Sequence, residues 1–201
     1  AGMTGMTCGT PAAAGGITSD LKPEGNDNGF YKFSERTWQN FNGNTFPALN
    51  GVKDIVSLAV DPADETIWAG SFGSGLISMT QDQKIAGYKE GSFIRPSLSD
   101  PQSFRVTGLA FDRDRNLWIS NSGAADNLVV RLKDGNTRAF HSPFSISDNA
   151  TGSIVIDDTN QKWIIGSGGN GLICFSHGQS IDNPADDQWR WFRTGVGQGN
   201  L

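Results

Sequence analysis

Ser57-Leu58-Ala59-Val60-Asp61, Gly108-Leu109-Ala110-Phe111-Asp112 and Ser153-Ile154-Val155-Ile156-Asp157 are one short pattern written three times: a small residue, three apolar residues, an aspartate. A tryptophan follows each copy, in Ile67-Trp68-Ala69, Leu117-Trp118-Ile119 and Lys162-Trp163-Ile164. Beyond a turn rich in Gly, Ser or Asn comes a third run, in Gly75-Leu76-Ile77-Ser78, Asn127-Leu128-Val129-Val130 and Gly171-Leu172-Ile173-Cys174, with a fourth copy at Gly29-Phe30-Tyr31-Lys32-Phe33. Apolar or aromatic residues three apart close each unit: Trp38 and Phe41, Ile85 and Tyr88, Thr137 and Phe140, Trp189 and Phe192. Four short strands joined by turns, recurring every roughly 40–50 residues, describe the blade of an all-β propeller.

Each strand has a physical role in that reading. The innermost strand, such as Leu58-Ala59-Val60, is nearly continuous in apolar character because neighbouring blades cover both its faces. The small residue before it (Ser57, Gly108, Ser153) suits crowding near the central axis. The tryptophan strand supplies bulk between blades, and the outermost strand mixes apolar with polar because one face is wet. Gly29, Gly75 and Gly171 suit hairpin positions that need positive φ, with Asn127 as the tolerated substitute.

About three and a half blades are present. Residues 29–50 are the outer half of a first blade; full blades run over about 51–98, 99–145 and 146–195, and residues 196–201 start another. Residues 1–28, rich in Gly, Ala and Thr, read as a loop plus degraded strands of the first blade. A small four-bladed ring and a piece of a longer propeller both fit the count, and the second is favoured.

The 201 residues carry a net charge of −5, with 36% hydrophobic, 18% charged and 26 glycines. That is the balance of short strands and many turns. No stretch is rich in Lys or Arg, which argues against phosphate-backbone binding and simple attraction to an anionic membrane. No apolar run reaches transmembrane length, and no leader pattern is visible. Cys174, in an apolar run, reads as a small buried hydrophobe; a Cys8–Cys174 disulfide stays open.

Residues with catalytic or ligating potential all have structural readings. Asp112, Asp114 and Asn116 alternate like the start of a calcium loop, but the following glycine and the distal glutamate are missing. With Asp61, Asp64 and Glu65, and with Asp157, Asp158 and Asn160, they read as hairpin turns. Cys174 and His177 lie close in sequence, yet alternation separates a strand from its turn; His141 and His177 are too few and too scattered for a zinc site. Asp186 and Asp187 beside Trp189 are candidates for paired carboxylates of sugar chemistry, against a solvated loop. Gly166 to Gly171 is a hairpin, because no helix follows to cradle a phosphate. No catalytic residue, cofactor or metal is expected.

Trp163-Ile164-Ile165-Gly166-Ser167, followed by Gly171-Leu172-Ile173, resembles the two-component-regulator propeller repeats of Bacteroidetes. Ile154 to Ile165, Gly169 to Ile173, Asp186-Asp187-Gln188 and Thr194 to Leu201 resemble the PorZ-type family of the type IX secretion system. So do Gly29 to Ser34 with Trp38, and Asn116 to Ser122. The resemblance spans about Gly29 to the end and implies two seven-bladed propellers and a C-terminal β-domain in a full-length protein. It implies a non-enzymatic interaction module of an attachment complex at the outer-membrane surface, binding partner proteins and anionic lipopolysaccharide. The alternative is a periplasmic glycan-sensing propeller of a hybrid two-component regulator. A lyase or glycosidase would need acidic or histidine side chains converging at the mouth of the central channel.

Overall fold

The repeated pattern becomes the first strand of three successive antiparallel sheets in the computed structural model, which describes residues 5–9 (backbone) and 22–195. The second blade comprises β4 (Ile55–Val60), β5 (Ile67–Gly73), β6 (Leu76–Met79) and β7 (Ile85–Tyr88). The third comprises β8 (Phe104–Phe111), β9 (Leu117–Ser122), β10 (Leu128–Arg131) and β11 (Thr137–Phe140). The fourth comprises β12 (Thr151–Ile156), β13 (Lys162–Gly166), β14 (Gly171–Ser176) and β15 (Gln188–Phe192). Each pairs in simple up-and-down order. In the first blade, β1 (Gly5–Gly9) pairs with β2 (Phe30–Ser34), which pairs with β3 (Thr37–Phe41). The reading of residues 196–201 as the next blade lies outside the described residues.

The core is not one cluster but a set of slabs between blades. Trp68 and Leu76 of the second blade pack against Val106, Leu109, Leu117, Ile119 and Val129 of the third. Trp118, Leu128 and Val130 of the third pack against Ile154, Ile164, Ile173 and Phe175 of the fourth. This follows from period-2 alternation, since every strand sends alternate residues to opposite faces and each face meets a different blade. The expectation that an innermost strand is covered on both faces fails at the end of β4, where Val60 is 42% exposed, and at β12. Val155 is 64% exposed and Ile165 on β13 is 50% exposed, because no described blade lies against that side.

Near the axis the innermost strands approach closely. Thr107 Oγ1 donates to the Thr151 carbonyl at 2.7 Å. A Cβ on Gly108 would lie 2.6 Å from the Gly152 carbonyl oxygen and 2.7 Å from the Ile154 nitrogen, so only glycine fits there. An inter-blade ladder, Phe72 with Arg105 and Gly73 with Phe104, joins β5 to β8 at the same end; nothing in the repeat pattern signals it.

Gly29, Gly75 and Gly171 do take positive φ. Asn127 does not share that conformation. Gly123 makes the positive-φ step earlier in this longer turn, and Asn127 is buried with its side-chain oxygen accepting from Ser142 N at 3.4 Å.

Candidate functional site

Where innermost strands converge, a cavity of about 150 Å³ opens between the β8 and β12 starts. Its lining includes Arg105, Thr107, Ser122, Asp148, Thr151 and Ser153. Arg105 is held from several sides: Nη1 lies 3.3 Å from Asp148 Oδ2, Nε donates to Ser103 Oγ at 3.2 Å, and the guanidinium sits 5.0 Å from the Phe72 ring centre. Asp148 and Asn149 both have left-handed φ, 56° and 46°. Consecutive non-glycine residues there hold local strain, of a kind that clusters at binding sites. Thr151 Oγ1 is buried with no hydrogen-bond partner. The site can position a polar group by hydrogen bonds. Its ionisable lining residues, Arg105 and Asp148, neutralise one another, and no nucleophile–base pair stands there.

Two of the three repeated aspartates, Asp112 and Asp157, clasp the tryptophan of their own blade. Asp112 Oδ1 accepts from the backbone of Asp114 and Asn116 at 3.0 and 2.8 Å, as the hairpin-turn reading anticipates. Its Oδ2 accepts Trp118 Nε1 at 2.9 Å and Asn116 Nδ2 at 3.0 Å. Asp157 repeats the arrangement, with Thr159 N, Gln161 N and Trp163 Nε1 at 2.8, 2.9 and 2.8 Å. The indole N–H, followed by those turn amides, holds the Asp157 carboxyl far below the usual carboxylate range. The spacing from aspartate to tryptophan, six residues in both, was the legible signal.

Lys162 stands where the second and third blades have Ile67 and Leu117, and it is fully buried. Its Nζ donates to the Asn160 carbonyl at 2.8 Å, meets His177 Nδ1 at 2.7 Å and sits 4.1 Å over the Trp118 ring. Burial lowers its pKa to about 8 against the pull of Asp112 and Asp157. His177 stacks on Trp118 at 5.6 Å, and burial together with Lys162 lowers its pKa. This is a sealed seam between blades, with no open approach for a substrate.

The remaining candidates disperse. Cys174 is a free thiol; the side chain of Cys8 lies outside the described residues. Cys174 faces the opposite side of the blade from the Lys162 seam, with Sγ 3.1 Å from Gln161 Oε1, and burial raises its pKa. It therefore does not meet His177. His141 is exposed, its Nδ1 2.7 Å from the Ala125 carbonyl. Asp186 Oδ2 accepts from Gln179 N at 2.9 Å and so ties down a loop, while burial and the neighbouring Asp186 charge raise the pKa of Asp187. Gly166 to Gly171 is the β13–β14 hairpin, as read. Among the described residues no group of three His, Cys, Asp or Glu side chains is placed to hold a metal. No helix among them is long and apolar enough to cross a membrane.

Four-stranded blades about an axis, packed through tryptophan-rich slabs, define an all-β propeller architecture. No family model and no curated protein matches the chain. Among solved structures it is similar to PorZ, described as an essential bacterial surface component of the type-IX secretion system of Porphyromonas gingivalis. The TM-score is 0.77 at 21% identity, over 94% of this chain and 26% of that one. It is similar to virginiamycin B lyase from Staphylococcus aureus, with a TM-score of 0.60 at 14% identity over 90% of this chain and 56% of that one. It is also similar to the extracellular domain of a B. thetaiotaomicron protein assigned to the hybrid two-component systems. Here the TM-score is 0.53 at 19% identity, over 84% of this chain and 21% of that one. These likenesses establish the fold, and the chain spans about a quarter of the length of PorZ.

Proposed function

We propose that the chain is a propeller interaction module of PorZ type, part of an exported assembly at the outer-membrane surface. In this reading it belongs to a larger, seven-bladed ring and binds partner proteins and anionic lipopolysaccharide without performing catalysis. The observation that carries the reading is the agreement with PorZ over 94% of the chain at a TM-score of 0.77, against 0.60 for the lyase and 0.53 for the sensor domain. His177 is sealed between blades and His141 follows an outer strand; the ionisable side chains at the axial cavity are Arg105 and Asp148.

The glycan-sensor reading is favoured by the sensor-domain likeness and by the axial cavity, whose lining sets hydroxyls of Thr107, Ser122 and Ser153 beside the apolar Val56 and Phe72. Calorimetric titration separates the two. Saturable heat with purified anionic lipopolysaccharide, and none with a panel of neutral glycan fragments, is the expected result. Tight binding of one glycan fragment without response to lipopolysaccharide refutes the attachment reading and establishes the sensor.

A further inference from the structure

The aspartate clasp is broken in one blade, and the cause is a single inserted residue. Asp112 to Trp118 and Asp157 to Trp163 are six apart, whereas Asp61 to Trp68 is seven. The turn hydrogen bonds register the insertion: Asp61 N pairs with the Thr66 carbonyl five residues on, while Asp112 N and Asp157 N pair with Asn116 and Gln161 carbonyls four residues on. The longer turn moves Asp61 away. Its Oδ1 takes the Arg115 Nε at 2.6 Å instead, and the second turn carboxylate, Asp64, also pairs with Arg115.

Trp68 keeps the attitude of its counterparts. It stacks on Tyr88 with ring centres 5.6 Å apart and planes at 28°; the other two tryptophans stack on Phe140 and Phe192 at 5.6 Å, with planes at 28° and 29°. Unlike theirs, its N–H finds no acceptor. Trp68 is 5% exposed and its Nε1 has no hydrogen-bond partner. An orphaned buried donor costs about 1–3 kcal/mol, so it is a feature that asks for an acceptor.

The space beside it is open. A cavity of about 280 Å³ lies between the second and third blades, lined by Trp68, Asp61, Ser78, Arg115, Arg131 and Lys133 among others. In the next seam the corresponding places are taken by Lys162 and His177, which close over Trp118. Here they are Leu117 and Lys133. Arg131 lies 5.1 Å over the Trp68 ring, and neither Arg131 nor Lys133 is in an ion pair among the described residues. Three cations thus face two carboxylates in the lining, so one positive charge is left in excess, and Arg115 is the cation that both carboxylates bind.

We infer that this inter-blade cavity is a binding site for a small oxyanion, a carboxylate or phosphate group whose oxygen accepts from Trp68 Nε1 while Arg131 and Lys133 supply the charge. The indole ring is already covered by Tyr88 and by Arg131, so recognition runs through the ring edge and not by stacking a sugar. The assignment is independent of the propeller's partner: the site is complete within two adjacent blades.

The test is a ¹H–¹⁵N correlation titration of the 201-residue chain, following the six tryptophan indole N–H signals, with Trp68 assigned from Trp68→Phe. Inorganic phosphate and glucuronate, each against chloride at matched ionic strength, are the probes. The expected result is a saturable downfield shift of the Trp68 signal alone. The tighter-binding probe identifies the headgroup class. Lys133→Gln, at an exposed position, and Arg131→Gln should each weaken binding by about tenfold, the loss of one charge-assisted hydrogen bond. Arg138→Gln on the outer strand should change nothing. Absence of a saturable Trp68 shift with either anion, or equal shifts in wild type and Lys133→Gln, overturns the assignment.

Discussion

Asp112→Ala tests whether the aspartate clasp is what seats a blade's tryptophan. Asp112 is 6% exposed and accepts four hydrogen bonds, two from its own turn, one from Asn116 and one from Trp118 Nε1. Trp118 is fully buried, so its N–H loses its acceptor with no water to replace it, costing about 1–3 kcal/mol. The turn amides and the Asn116 amide add roughly 1 kcal/mol each, less where water reaches the turn. The sum is about 3–5 kcal/mol, which for a chain of this length lowers Tm by roughly 10 °C. The internal control is Asp61→Ala, because Trp68 has no bond to Asp61 to lose. That substitution forfeits one turn bond and the partly exposed Arg115 bridge, about 1–2 kcal/mol. Urea unfolding followed by tryptophan emission, with matched slopes, measures both. If Asp61→Ala costs as much as Asp112→Ala, or if Asp112→Ala costs less than about 1 kcal/mol, the clasp is not what holds the indole and the reasoning fails.

Three further outcomes follow from the same packing. Gly108→Ala forces a Cβ into the Gly152 backbone and should cost more than about 2 kcal/mol in urea unfolding, through displacement of the fourth blade. Lys162 should make stability rise with alkaline pH. Its folded pKa is about 8 against an ordinary 10.5, so between those values the unfolded chain holds the extra proton and ΔG of unfolding increases with pH, by on the order of 3 kcal/mol in total. Lys162→Leu, the residue type of the third blade, should remove that rise; an unchanged pH profile contradicts the assignment. Val155→Thr with Ile165→Thr should leave the stability of this 201-residue chain within about 0.5 kcal/mol, since both side chains are half or more exposed. In a longer protein whose next blade covers that face, the same pair should destabilise by several times as much, readable by urea unfolding of both lengths.

The blade architecture was legible because it rests on local, repeated chemistry. A small residue, an apolar triplet, an aspartate turn and a tryptophan recur at nearly constant spacing, and most strand pairing stays between sequence neighbours within a blade. Strand alternation, the positive φ at Gly75 and Gly171, and the Asx character of the turn at Asp112 all follow from that. Asn127 departs from its glycine counterparts because a longer turn places the left-handed residue elsewhere.

Contacts between blades were decided only in three dimensions. The one-residue difference between Asp61–Trp68 and Asp112–Trp118 is visible in the sequence, but its consequence depends on Arg115, 54 residues from Asp61, reaching across the seam. Likewise Lys162 marks itself as polar at an apolar position, yet its partner His177 and its stacking surface Trp118 come from different strands. Periodicity reports which face a residue takes; it carries no information about which side chain of the neighbouring blade will meet it there. The slabs that hold the propeller together, and the cavity they leave beside Trp68, arise from that meeting.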